Sequence, residues 1–164
     1  MFPDRPLTGL SMLETFAGNQ EKGGGMLSRV FERAGGNADK RDILINKSHD
    51  FHEDWKFWQN EAKEPRDIYA LAPCCTECSI AKTIPKTRSL ADPVGDEARE
   101  EIRYANKTIR LLVQRALALL SKGAHILIEN PQLSYLWLIP EMLILVGFLG
   151  MYLVRIDHCT CGML

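Results

Sequence analysis

The chain has almost no excess of either charge. Its 20 lysines and arginines against 21 aspartates and glutamates leave a formal net charge of −1 over 164 residues. A global basic field able to hold a polyanion is excluded, so any contact with nucleic acid must come from a local patch. A regular, even set of cysteines is also lacking. There are five, with Cys74, Cys75 and Cys78 crowded into one loop, and this excludes a secreted disulfide framework. The start, Met1-Phe2-Pro3-Asp4-Arg5-Pro6, has no basic stretch followed by an apolar one, so no signal peptide is read there. An intracellular, reducing compartment, nuclear or cytoplasmic, is expected. Internal repeats and low-complexity segments are absent from the sequence, which argues against solenoid and fibrous architectures. Leu136 to Val154 is 19 residues with a single charge, Glu141, a length that could span a bilayer. Against a span, Pro140, Glu141, Gly147 and Gly150 divide it into a short helix and a following strand, as buried elements of an α/β domain would be. No membrane partner is expected.

What is present suits one domain, residues 1–164. Hydrophobic residues make up 46% and charged residues 25%, the mix of an ordinary globular core and its surface. Leu10 to Phe16 is a short apolar strand between glycines. A glycine-rich loop, Gly18 to Gly25, leads into a helix carried by Met26, Leu27, Val30, Phe31 and Ala34 and stopped by Gly35-Gly36. Strand, glycine loop, helix is how a nucleotide-binding βαβ unit begins. Asp42 to Ile45 reads as a weak second strand. Phe51 to Trp58, mixed aromatic and charged, supports no assignment. Asp67 to Ala72 is a clearer strand, and Ile80 to Pro93 a loop. Ala98, Ile102, Ala105, Ile109, Leu112, Val113, Ala116 and Leu120 give a helix over Glu97 to Leu120, with Asp96 as its cap. Strands follow at Ile126 to Ile128 and Met151 to Ile156. The alternation predicts an α/β fold: a mainly parallel sheet with helices on both faces.

Ligands of an open α/β sheet bind beyond the carboxyl ends of its strands, and three motifs lie at such ends. The first is Glu14-Thr15-Phe16-Ala17-Gly18-Asn19, continuing to Gly23-Gly24-Gly25. It is either a flexible turn or a loop whose backbone comes close to a ligand. The second is Ala72-Pro73-Cys74-Cys75-Thr76-Glu77-Cys78-Ser79. A thiol at a strand end can be an activated nucleophile or simply a small buried side chain. Zinc held by Cys74, Cys75, Cys78, His158, Cys159 and Cys161 is a third option. The last is Glu129-Asn130-Pro131, either a capping turn or a carboxylate emerging from an apolar strand. In the second case partial desolvation should raise its pKa and let it donate a proton.

Together these loops resemble the cytosine-5 DNA methyltransferase family, which uses S-adenosylmethionine and has the Rossmann-like class I methyltransferase fold. That family opens with a strand and Phe-Ala-Gly-x-Gly-Gly. Here Phe16-Ala17-Gly18-Asn19 matches, and Gly24-Gly25 completes the pattern after an insertion from Gln20 to Gly23. The family's Gly-Pro-Pro-Cys-x-x-x-Ser lies over Ala72-Pro73-Cys74-Cys75 with Ser79, and its Glu-Asn-Val over Glu129-Asn130-Pro131. The resemblance runs from about Leu10 to Ile156, and only these loops are specific to the family.

The resemblance implies a mechanism. Cys75 would add to C6 of a flipped-out cytosine, with a protonated Glu129 hydrogen-bonding the ring at N3. Ser79 and Asn130 would contact the substrate. Phe16, Ala17, Gly18, Asn19, Gly24, Gly25 and Pro73 would hold S-adenosylmethionine, with Asp42 on its ribose and Asp50 near its adenine. The implied substrate is nucleic acid, DNA in preference to RNA. The family continues with an arginine-rich catalytic segment, a target-recognition region and a final helix, for which the sequence to Leu164 has no counterpart. A C-terminally incomplete fold is therefore expected, reduced or inactive as this chain alone, or one that relies on a partner chain for target recognition. The alternative is a non-catalytic binding or regulatory module on the same scaffold, stabilised by zinc at its Cys and His residues.

Overall fold

The computed structural model describes residues 6–18, 24–73, 75–79, 87–148 and 151–155. Among them four parallel strands form one sheet: β1 (Ser11–Thr15), β2 (Asn37–Arg41), β3 (Ile68–Leu71) and β4 (His125–Ile128), in the order β2-β1-β3-β4. The helices are α1 (Met26–Arg33), α2 (Trp55–Lys63), α3 (Glu100–Leu120) and α4 (Pro140–Phe148). The chain runs outward from β1 to β2, then returns to place β3 on the other side of β1. This is a Rossmann-like α/β arrangement, and its topological switch point lies between β1 and β3.

Strand periodicity divides the core in two. Met12 and Ala70 face Phe31 of α1, with Leu7, Leu10, Ala38 and Ile68 around them. Leu13, Tyr69 and Leu71 face the other way, into a larger cluster with Trp58 of α2, Leu112, Val113 and Ala116 of α3, and Met142 and Leu145 of α4. The helix read from apolar periodicity is this α3, whose buried positions include Ile102, Ile109, Leu112, Val113 and Ala116. Its stripe contacts α2, α4 and β4, which is why so long a helix is held on one side of so small a sheet.

Three sequence readings are corrected. The second strand is the polar Asn37–Arg41, paired with β1, and residues 42–45 form a turn. Asp42 nucleates that turn by accepting Leu44 N–H at 2.7 Å, and Leu44 is 68% exposed. Tertiary pairing at a sheet edge outweighed the apolar character of Ile43-Leu44-Ile45. Next, α3 begins at Glu100 with Arg99 at its N-cap. Asp96 instead closes a turn before it, accepting Ala98 N–H at 3.0 Å. β4 is an edge strand with one bare face. Ile126 and Ile128 pack on the larger cluster, while Leu127 is 47% exposed and no described helix lies over it. Finally, residues 151–155 form no strand and Tyr152, Leu153 and Val154 are exposed; Ile156 lies outside the described residues. The unassigned stretch at Phe51 to Trp58 supplies a turn and the start of α2. No helix among the described residues is long and apolar enough to cross a membrane.

Candidate functional site

The neck of the glycine loop is closed by one bond. Gly25 N–H donates to the Ala17 carbonyl at 2.6 Å. Phe16-Ala17-Gly18 and Gly24-Gly25 are therefore neighbours in space, and the insertion leaves the two halves of the motif together; Asn19 lies outside the described residues. Gly18 and Gly25 both have left-handed backbones, φ 70° and 69°. At Gly25 a Cβ would also come within 2.9 Å of the Lys40 side chain, so only glycine fits there without a shift. Phe16 adopts φ 61° as well, an unusual conformation for a bulky residue. Its N–H donates to the Arg41 carbonyl at 2.9 Å, which binds the end of β1 to the end of β2.

Beyond the β1 and β3 ends opens a cleft of about 770 Å³. Phe16, Asp42, Asp50 and Phe51 line it from one side, and Ala72 and Pro73 from the end of β3. Its far wall is the first half of α3, with Glu100, Glu101, Tyr104 and Thr108. Asp42 stands at the carboxyl end of β2, where its Oδ2 accepts Gly18 N–H at 2.9 Å. The Phe16 and Phe51 rings lie 4.8 Å apart and tilted. His52 stacks on Tyr104 at 4.1 Å. Thr108 donates its single hydroxyl proton to the Tyr104 carbonyl at 3.0 Å. His52 Nε2 must therefore donate to that hydroxyl, 2.6 Å away, leaving Nδ1 as an acceptor. Burial, aided by Lys107, holds His52 below the ordinary histidine pKa. Burial and Arg41 do the same for His49, so both are neutral at pH 7.

Arg115 of α3 supports the cleft from behind. Its guanidinium stacks over Phe51 at 4.0 Å and Trp58 at 4.8 Å, and donates to the Phe51 carbonyl at 2.5 Å. Burial pulls its pKa down to about 10. The residues beside Asp50 are thus fixed by a cation clamped on their backbone and rings.

The loops after β3 and β4 are stitched together. Asn130 Nδ2 donates to the Pro73 carbonyl at 2.9 Å, and Glu129 N–H to the Leu71 carbonyl at 3.0 Å. Ser134 Oγ donates to the Cys78 carbonyl at 3.3 Å, and Ser79 and Ser134 form an antiparallel bridge. The loops carrying Cys75 and Glu129 therefore leave neighbouring strands on the same edge of the sheet. Cys75 is half-buried at the start of a short 3-10 turn, Thr76–Cys78. Neither Cys75 nor Glu129 lines the cleft, although Pro73, Glu77 and Cys78 do. Glu129 is exposed, which corrects the expected desolvation. The edge position of β4 leaves its end open to water. Arg88, only 4% exposed, ties this region to α3: it donates to the carbonyls of Glu77, Pro93 and Val94 and to Asn106 Oδ1, all within 2.7–2.8 Å.

Among the described residues no group of three or more His, Cys, Asp or Glu is arranged to hold a metal. Cys78 is buried in the larger apolar cluster. Cys74, His158, Cys159 and Cys161 lie outside the described residues. The sequence reading gave no role to Phe51, His52, Tyr104 and Arg115. Only Phe51 and His52 left a trace, in the aromatic, charged stretch that periodicity could not assign. Compared with protein-family models, curated proteins and solved structures, the chain has no match.

Proposed function

We propose that the chain is an S-adenosylmethionine-dependent methyltransferase domain acting on cytosine C5 in nucleic acid, DNA in preference to RNA, with target recognition supplied by a partner chain. The observation that carries this reading is the stitching of the Pro73–Ser79 loop to the Glu129–Ser134 loop, beside a cleft at the β1/β3 switch point. A nucleophile loop, an acid loop and a nucleoside-sized cleft then share one edge of the sheet.

The size and lining of the cleft support this choice of cofactor. The cleft's volume lies within the range of small-molecule sites. Asp42 offers a carboxylate at the end of β2 for ribose hydroxyls, and the Phe16 and Phe51 rings offer apolar faces. Bound there, S-adenosylmethionine would supply an electrophilic methyl group on a sulfonium. The remaining chemistry belongs to the chain. The Cys75 sulfur would form a bond to C6 of an extruded cytosine while Glu129, protonated, donates to N3 and takes up the charge building on the ring. C5 would then accept the methyl group, leaving the demethylated thioether cofactor; loss of the C5 proton to a base would re-form the C5–C6 double bond and release the Cys75 thiolate from C6, with the N3 proton returning to Glu129. Because Glu129 is exposed, the incoming base must itself exclude water from the carboxyl group.

A 5-fluorocytosine oligonucleotide with S-adenosylmethionine tests this. The fluorine blocks the final proton loss, so a covalent protein–oligonucleotide adduct should accumulate and vanish in Cys75→Ser. An adduct that survives the substitution removes Cys75 from the role. A second reading, a nucleoside-binding module without catalysis, is favoured by Cys75 and Glu129 lying off the cleft lining. It predicts ligand binding without any adduct.

A further inference from the structure

Two cysteines stand one turn apart in the loop after β3. Cys75 is helical, at φ −84° and ψ −11°, and its carbonyl accepts Cys78 N–H at 3.0 Å, so the pair opens and closes a single 3-10 turn. In 3-10 geometry the side chains of residues three apart eclipse one another, and their Cα atoms lie about 6 Å apart. A disulfide spans Cα separations of about 4.4–6.8 Å. The turn therefore presents its two cysteines at bonding range, and both are reduced.

The backbone around them is pinned to other elements. The Pro73 carbonyl accepts Asn130 Nδ2–H at 2.9 Å, the Glu77 carbonyl accepts Arg88 Nε–H at 2.7 Å, and the Cys78 carbonyl accepts the Ser134 hydroxyl at 3.3 Å. Ser79 bridges to Ser134. A disulfide here closes a loop that hydrogen bonds already hold shut, so forming it costs little further chain entropy. The two side chains also differ in access. Cys75 keeps part of its surface in solvent, whereas Cys78 is 1% exposed and packed in the larger apolar cluster. One sulfur can meet a small oxidant, and the other waits behind it.

We propose that Cys75 and Cys78 are a modification site: a hydroperoxide oxidises Cys75, and Cys78 resolves the product to a reversible disulfide. The Cys75 sulfur attacks the outer peroxide oxygen and the O–O bond breaks. This leaves Cys75 as the sulfenic acid, and the Cys75 proton departs with the alcohol, or with water when the oxidant is hydrogen peroxide. The Cys78 sulfur then bonds to the Cys75 sulfur and displaces hydroxide, which leaves as water with the Cys78 proton. The peroxide gains the two electrons that the thiols lose. A dithiol reductant reverses the bond by exchange. The disulfide stands on the turn geometry alone. Its consequence, that oxidation withdraws the nucleophile and reduction returns it, rests on the cytosine-methylating reading above.

The experiment treats the wild type with stoichiometric hydrogen peroxide, alkylates the remaining thiols with one label, reduces, and alkylates again with a second. Mass spectrometry then reads the tryptic peptide Asp67–Lys82, which carries Cys74, Cys75 and Cys78. The first label is expected on Cys74 and the second on both Cys75 and Cys78. The first label on all three, a bond that uses Cys74 or any other cysteine, or Cys75 as sulfinic acid beside an alkylated Cys78 overturns the proposal. In Cys78→Ala the same treatment should carry Cys75 on to sulfinic acid, which dithiothreitol does not reverse. Recovery of the Cys75 thiol as complete as in the wild type, in a folded variant, overturns the resolving role. Should Cys78→Ala fail to fold, the wild-type map decides. The consequence is read on the fluorocytosine adduct, which should fall in proportion to the disulfide-linked fraction and return on reduction. An adduct undiminished by a complete Cys75–Cys78 bond overturns that consequence. If the reduced protein forms no adduct, the methylating reading falls by itself, and the peptide map still decides the disulfide.

Discussion

The two ends of the sheet solve different problems. At β1 and β2 the loops are tied inward: Gly25 to Ala17, Gly18 to Asp42, Phe16 to Arg41. Helices lie on both faces there, and the result is a walled cleft with buried aromatic rings. At β3 and β4 the loops are tied to each other, Asn130 to Pro73 and Ser134 to Cys78, while one face of β4 stays bare and Glu129 stays in water. In the proposed reading the first end would enclose the cofactor. The second holds the loops after β3 and β4 in register but leaves their outer side open, which the proposed reading would assign to the nucleic-acid substrate or a partner chain.

Substitutions can pull these ends apart. The largest effect is all-or-none: Cys75→Ser should abolish the fluorocytosine adduct while S-adenosylhomocysteine binding persists, which mass spectrometry and calorimetry read separately. Loss of both would show that the ends are not independent. Asp42→Ala should weaken adenosyl-ligand binding by about 10- to 100-fold, from the value of hydrogen bonds to a charged group. Arg115→Ala removes the clamp on Phe51 and should lower unfolding stability by about 2 kcal/mol in urea melts, combining cation–π and hydrogen-bond losses. Asn130→Ala sits at the other end. It should cost about 1 kcal/mol of stability and slow adduct formation, with adenosyl-ligand affinity unaltered.

The smallest effect is on pH dependence. His49 and His52, both in the cleft, are held below the ordinary value of 6.5 mainly by burial. The unfolded chain therefore takes up these protons first, and the unfolded state gains on the folded one in acid. Their contribution is intact above pH 6.5 and is lost as the pH falls through the lower folded values. Urea melts from pH 7.5 to 5 should show this decline, and His49→Gln with His52→Gln should flatten it. An undiminished slope in the double variant would assign the acid sensitivity elsewhere.

Much of the scaffold was legible because its signals are local. The α3 stripe, the β1 run before Gly18 and the β3 run before Pro73 each name their element without tertiary information. The second strand was not legible, since Asn-Ala-Asp-Lys-Arg becomes a strand only by pairing with β1, while the apolar Ile43-Leu44-Ile45 beside it is left in a turn. For the site, Asp42 and Asp50 were found in the cleft and the Cys75 and Glu129 loops on one edge. Glu129's exposure depends on what covers β4, which a strand of Ile126-Leu127-Ile128 does not encode. Arg115 acts through a partner 64 residues away in sequence, and no spacing rule reaches it.

The central claim is that the walled end binds an adenosyl cofactor whether or not the open end is complete. Calorimetric titration of the wild-type chain with S-adenosylhomocysteine, in the absence of nucleic acid, tests it most directly. One saturable site per chain, weakened in Asp42→Ala, is the predicted result. A wild-type protein that is folded by its melting curve yet gives no saturable heat at millimolar ligand would contradict it.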